Sequence, residues 1–260
     1  MKKVLTIAGS DCSGGAGIEA DLKTFCHFKV YGSAVITAVV AENTVGVQGI
    51  FPINADFVGL QIDSVMTDIG ADAIKIGMLF ESEIIRVVAE KLKFYDVKNV
   101  VLDPVMVAKN GDELLKKEAK KDLIEKLLPL ASIVTPNINE AEAISNIKIK
   151  EEEDLFNALY KIKSLGCSNV LIKGGHFGEE AIDFFFDGNE IAEIYGKRIE
   201  TKNTHGTGCT YSSATASLLA SGYKPLESVK MAKEYIQKAI ETAPKIGKGF
   251  GPLNHFADTK

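Results

Sequence analysis

The 260-residue chain has no clustered basic stretch: 30 Lys and Arg stand against 35 Asp and Glu, for a net charge of −5. That balance excludes a nucleic-acid or anionic-membrane partner held by charge. No segment reaches transmembrane length. The opening Met1–Ala8 is basic and then apolar, but its apolar run is too short for a signal peptide and meets Gly9-Ser10-Asp11. The four cysteines, Cys12, Cys26, Cys167 and Cys209, form neither a CxxC pair nor a metal-ligand spacing, so they read as the free thiols of a cytoplasmic protein. No Pro/Ser-rich linker, repeat or low-complexity tract divides the chain, which predicts one domain over residues 1–260. Missing too are a GxxxxGK[ST] phosphate loop, the protein-kinase motif set and a GxSxG elbow.

What is present is an alternation. Short apolar runs at 4–8, 34–40, 73–76, 100–102, 133–135 and 170–172 predict strands. Helical patterns lie between them at 17–28, 55–67, 83–95, 116–128 and 152–165. Continuous apolar strands separated by helices predict a mostly parallel sheet covered on both faces. Residues 181–186 and 190–195, joined by Asp187-Gly188-Asn189, predict a hairpin added at an edge, and helices at 207–221 and 226–243 close the chain. In such a fold, ligands sit at the carboxyl ends of the strands. Polar and glycine residues collect there: Gly9 to Asp21, Glu42-Asn43-Thr44, Gly77-Met78, Asp103-Pro104-Val105-Met106, Thr135 to Glu140, and Lys173-Gly174-Gly175-His176.

The most informative stretch is Asn203-Thr204-His205-Gly206-Thr207-Gly208-Cys209-Thr210, followed by a helix of small residues. Glycines before a helix let backbone N–H groups converge, and the helix terminus adds partial positive charge, so the loop suits a phosphate. A thiol there is expected to have a lowered pKa and to serve as nucleophile or base; the alternative is a small buried cysteine. A rival reading lies in the first loop, where Gly15-Ala16-Gly17-Ile18-Glu19-Ala20 fits a relaxed dinucleotide fingerprint with Glu42 as ribose-binding acid. Six residues separate that fingerprint from Ala8, whereas its first glycine belongs at the strand end, and it leaves the Gly206–Cys209 loop unexplained.

Taken in order, Leu5 to Asp11, Ser13 to Gly17, Ala20 to Thr24, Lys75 to Met78, Asp103 to Met106, Thr135 to Asn137, Lys173 to His176, Asn203 to Thr210, Gly251-Pro252 and His255-Phe256 resemble the hydroxymethylpyrimidine/phosphomethylpyrimidine kinases of thiamine biosynthesis. The resemblance covers essentially the whole chain. It implies a ribokinase-like three-layer α/β/α sandwich and two successive phosphorylations from MgATP. The first converts 4-amino-5-hydroxymethyl-2-methylpyrimidine into its monophosphate and the second converts that into the diphosphate. It also implies a homodimer.

Carried over residue by residue, it places the pyrimidine against Gly9, Asp21, Glu42, Met78 and Val105. Lys173, Asn137 and Thr207 would meet ATP, and Asp103 and Glu140 would serve magnesium. Gly206, Thr207, Gly208 and Cys209 would surround the transferring phosphate with Lys173. Simpler readings stand beside these: Asp21 as a dipole-complementing acid, Met78 and Val105 as core, Lys173 as a solvated strand-end lysine, and Asn137 with Glu140 as a capping box. Two positions depart from the family pattern: Glu42 stands where Gln is common, and Lys248 where His is usual. A pyridoxine or pyridoxal kinase of the same branch and an inactive pyrimidine-binding module are the alternatives.

Overall fold

In a computed structural model, residues 1–107, 114–116, 118–174 and 180–258 are described; Gly175 and His176 lie outside them. Eight strands form one sheet: β1 (Lys3–Ala8), β2 (Tyr31–Ile36), β5 (Ala73–Ile76), β6 (Val100–Leu102), β7 (Ile133–Val134), β8 (Val170–Ile172), β9 (Asp183–Phe186) and β10 (Ile191–Ile194). Their order is β10-β9-β8-β7-β6-β5-β1-β2, parallel from β2 to β8, with β9 and β10 antiparallel at the edge. Two further strands, β3 (Ala38–Asn43) and β4 (Gly46–Pro52), form a separate antiparallel hairpin.

Strand residues two apart point to the same face, and the apolar side chains divide accordingly. Leu5, Ile7, Ile74, Ile76, Val100, Leu102, Val134, Val170 and Ile172 join one core with α2 (Ala55–Met66), α3 (Ser82–Phe94), α4 (Ala119–Asp122), α5 (Ile138–Ser145) and α6 (Glu152–Ser164). Val4, Ala73, Val101, Ile133 and Leu171 join the other with α1 (Gly17–His27), α7 (Thr207–Ala220) and α8 (Pro225–Glu241). The three-layer sandwich with an edge hairpin is therefore the one expected. Among the described residues, no helix is long and apolar enough to cross a membrane.

Helix α7 is buried on all sides from Thr210 to Ala220, and apart from Tyr211, Leu218 and Leu219 the side chains there are small. Its hydroxyls return hydrogen bonds to the preceding turn, Thr215 to the Tyr211 carbonyl (2.9 Å) and Ser217 to that of Ser213 (2.8 Å), so their burial leaves no orphan donor.

Three local features differ from the sequence reading. The run 34–40 is two strands, because buried Thr37 breaks it: its N–H donates to the Ala8 carbonyl and its hydroxyl to that of Met78, turning the chain off the sheet. Strand β4, half exposed throughout, has no continuous apolar run to announce it. The helix expected over 116–128 is a four-residue α segment followed by a π turn (Leu123–Leu127) and a 3-10 turn at Leu128–Leu130, where Pro129 lacks an N–H.

Candidate active site

The carboxyl ends of β1, β5, β6, β7 and β8 converge with the N-terminus of α7, while the β3–β4 hairpin stands over the end of β1. Gly206 opens α7 in a left-handed conformation (φ 80°), and a side chain there would collide with the Gly15 carbonyl. Gly208 is close-packed for a different reason. An added Cβ would lie 3.3 Å from both the Lys173 ammonium and an Asp103 oxygen. The glycines thus keep a backbone cradle open against a charged pair, the shape an anion needs at a helix N-terminus.

Strand alternation puts Thr6 and Lys75 on the α1/α7 face, where they meet Asp21. The Asp21 carboxylate is fully buried and accepts from Lys75 (2.8 and 2.9 Å), Thr6 (2.6 Å) and Ser213 (2.7 Å). This corrects the expected pyrimidine contact: every lone-pair direction of Asp21 is taken by protein, and no surface of it reaches the cleft. Its place is beneath the site, tying α1 and α7 to β1 and β5.

Asp103, at the end of β6, accepts from Lys173 (2.8 Å), Thr135 (3.2 Å) and Ser212 (3.5 Å). Burial works against the Lys173 charge, but Asp103 and Glu140 raise its pKa above the usual lysine value. Lys173 therefore stays an ammonium at the cleft, neither solvated nor loose. Asn137 and Glu140 form a reciprocal capping box on α5: the Asn137 side chain accepts from the Glu140 N–H (2.9 Å) and Glu140 from the Asn137 N–H (2.8 Å). Burial pushes the Glu140 carboxyl up to about 7; Lys173 opposes this and Asp103 reinforces it.

Cys209 is half-buried in the first turn of α7. The expectation of a lowered pKa is overturned. Burial pushes the thiol up to about 11, since Lys75 and a hydrogen bond from the Gly17 backbone do not offset desolvation and the Asp21 and Asp103 carboxylates. At neutral pH the thiol form therefore prevails.

Gly9, Met78 and Val105 lie together. A Cβ on Gly9 would lie 3.2 Å from the Met78 sulfur, and Met78 packs with Ala38, Val40 and Val105 in a small apolar cluster under the hairpin. Glu42 projects from β3 at a bulge between Ala41 and Glu42. It faces two residues that no local pattern singles out, Asp11 and His205. The Asp11 carboxylate accepts from the N–H groups of Ser13 (2.8 Å), Gly15 (2.9 Å) and Ala16 (2.7 Å), and pairs with His205 Nε2 at 2.9 Å. Burial would raise its pKa; the His205, Ser13 and Ala16 hydrogen bonds prevail and hold it well below the usual carboxylate range. Asp11 and His205 are 194 residues apart, so only the fold shows the pair.

The C-terminal loop completes the rim. The backbone N–H groups of Lys248 (3.1 Å) and Gly249 (3.2 Å) donate to the Thr44 hydroxyl at the hairpin tip, and the Gly251 carbonyl accepts from the His205 N–H (3.0 Å). Lys248 contributes through its backbone and its side chain is exposed, so the departure from His leaves this contact intact.

The arrangement has counterparts in known proteins. The family model described as "Phosphomethylpyrimidine kinase" matches residues 11–254. The "Thiamine biosynthesis bifunctional protein ThiED" of Geobacter sulfurreducens is 49% identical over 254 residues, 97% of this chain and 52% of that protein, so this chain spans about half of it. The "Hydroxymethylpyrimidine/phosphomethylpyrimidine kinase" of Escherichia coli is 45% identical, with 98% of each chain covered. Among solved structures, an ADP complex of Bacillus subtilis pyridoxal kinase superposes with a TM-score of 0.92 at 42% identity, covering 99% of this chain and 98% of that one. By sequence, by fold and by the cradle at the head of α7, the chain belongs to the phosphomethylpyrimidine kinase family of ribokinase-like kinases.

Proposed function

We propose that the chain is a single kinase domain that uses MgATP to phosphorylate 4-amino-5-hydroxymethyl-2-methylpyrimidine to its monophosphate and then to the diphosphate, in thiamine diphosphate synthesis in the cytoplasm. What supports this reading is that Gly9, Met78 and Val105 pack under the hairpin that carries Glu42, that Glu42 faces His205 next to Gly206, and that Gly208 lies beside Lys173.

Phosphoryl transfer asks the protein mainly for positioning and charge neutralisation. The backbone N–H groups of Gly206, Thr207, Gly208 and Cys209 supply donors to the transferring phosphate, with Thr207 and Asn137 beside the nucleotide. Lys173 spends one of its three N–H donors on Asp103 and keeps the others for phosphate oxygens. The donor chemistry of Asp103 and Glu140, hard carboxylate oxygens next to that cradle, fits magnesium, which these two residues would hold, directly or through water. Magnesium supplies neutralisation of phosphate charge.

Glu42 is assigned as the ring reader. Glu42→Ala is expected to raise KM for the pyrimidine while leaving KM for ATP unchanged, and Glu42→Gln to retain activity. Steady-state kinetics with each substrate varied checks both, and an unchanged pyrimidine KM in the alanine variant removes the assignment.

Cys209 acts through the shape of its loop, because a thiol with a pKa of about 11 is not a standing base. Cys209→Ala is therefore expected to affect both phosphorylations alike. A loss of ~10²–10⁴-fold confined to the alcohol step, where a proton must leave, would instead restore a general base at this position.

A homodimer accords with exposed Phe51, Phe57 and Leu60, which share one apolar face of β4 and α2. Sedimentation is expected to give a dimer for the native chain and a monomer for Phe57→Asp with Leu60→Asp; a native monomer refutes it.

A further inference from the structure

The Glu42 carboxyl does not stand alone. One of its oxygens, one oxygen of Asp11 and one ring nitrogen of His205 all lie within 4.8 Å of one another. Three acidic or imidazole groups so close form either a cation site or a proton site, and the hydrogen bonds decide which. Asp11 Oδ2 is already the acceptor for Gly15 N–H, Ala16 N–H and His205 Nε2. A cation would have to displace those donors, two of them fixed backbone groups of the first loop. A proton displaces nothing.

The charges around Glu42 come from three elements. Asp11 faces it from the loop after β1, Glu19 adds a second negative charge from α1, and His205 stands opposite from the loop before α7. On its own hairpin the facing residue is Val47, and Cys12 meets only the Glu42 backbone, through its carbonyl (3.1 Å) and N–H (3.4 Å). His205 is bound to Asp11 at 2.9 Å, so any charge it carries offsets Asp11 first. An ionised Glu42 would then leave a net negative charge in a half-buried cluster beside Asp11 and near Glu19, which is costly.

We propose, building on the pyrimidine-kinase reading, that Asp11 and His205 are positioning residues that keep Glu42 as a neutral carboxylic acid, so that recognition of the aminopyrimidine is gated by a proton. A carboxylate only accepts hydrogen bonds. A neutral acid offers one C=O acceptor and one O–H donor, the pair that a glutamine amide supplies. The exocyclic amine of a 4-aminopyrimidine donates and its neighbouring ring nitrogen accepts, so a neutral Glu42 matches a ring that an ionised one only half satisfies. Glutamate thus replaces glutamine in function, at the cost of a pH limit.

The sign follows from the cluster. Burial pushes the Glu42 carboxyl up to about 7, with Asp11 adding to it and His205 opposing, so the acid is neutral below that value and ionised above it. His205 is pulled down by burial and up, on balance, by Asp11, so the two titrate as one coupled unit. In the native enzyme KM for the aminopyrimidine is expected to be low below the break, to rise through it and to level off above it at the value of the ionised form, with KM for ATP unaffected. Glu42→Gln should flatten the pyrimidine profile. Asp11→Asn, which removes the neighbouring negative charge, should move the break to lower pH.

The proton itself is read without substrate. Infrared titration of the native protein, differenced against Glu42→Gln, is expected to show the C=O stretch of a neutral carboxylic acid below the break and its loss above. Absence of that band at acidic pH overturns the proposal even if Asp11→Asn fails to fold. So does a native KM independent of pH, and so does a bound pyrimidine whose ultraviolet spectrum is that of the protonated ring. If neither the native enzyme nor Glu42→Gln turns over the pyrimidine at any pH, the substrate assignment fails, while the infrared result still decides the state of Glu42.

Discussion

Lys173→Ala is expected to lower kcat for both phosphorylations by ~10²–10³-fold, the range seen when one preorganised donor to developing charge is removed. Both steps should suffer because each transfers the same γ-phosphate past the same ammonium. The structure gives this lysine no solvated alternative: it is 16% exposed, paired with Asp103 at 2.8 Å, and next to the backbone of Gly208. Lys173→Arg should recover only part of the rate, because a planar guanidinium does not reproduce a compact ammonium in a space bounded by glycine backbone. Separate assays of each step, with thermal stability measured alongside, check the result. Full activity in Lys173→Ala would reduce the residue to a partner for Asp103.

Lys75→Met is expected to destabilise the protein by about 3–5 kcal/mol, since it leaves the Asp21 carboxylate buried and without its counter-charge. Both members of this pair have no exposed side-chain surface. Removing the second charge as well, in Lys75→Met with Asp21→Asn, should restore much of the loss, because the asparagine keeps partners in Thr6 and Ser213 and carries no charge. Denaturant unfolding of the two single variants and the double variant measures the coupling. The comparison also tests the placement of Asp21: if it touched the ring, Asp21→Asn would change the pyrimidine KM and leave stability alone.

The parallel sheet was legible because its strands are buried on both faces and so read as unbroken apolar runs with glycine or polar residues at their carboxyl ends. The same property hid the break at Thr37, where the run continues in sequence while the chain leaves the sheet. Helix α5 lay inside a segment read for its Asn137 and Glu140 chemistry, and the reciprocal cap shows that the two residues do start a helix. The phosphate cradle was legible because glycine spacing before a helix is local. The Asp11–His205 pair and the Asp21–Lys75 pair were not, because each joins distant segments and no local pattern names the partner; a lysine within a strand reads as solvated until strand alternation places it beside α1. Cys209 shows two general rules in competition. A helix N-terminus favours a thiolate, but here desolvation and two carboxylates outweigh it.

The pyrimidine reading and the pyridoxal alternative meet in one measurement: the initial rate of ADP release with MgATP and, in turn, the hydroxymethyl aminopyrimidine, its monophosphate, and pyridoxal. The account predicts release dependent on each pyrimidine and a higher kcat/KM for the aminopyrimidine than for pyridoxal, because Glu42 pairs an acceptor and a donor with the exocyclic amine and its adjacent ring nitrogen, a pair that pyridoxal lacks. A higher kcat/KM for pyridoxal, or ADP release indifferent to both pyrimidines, would contradict it.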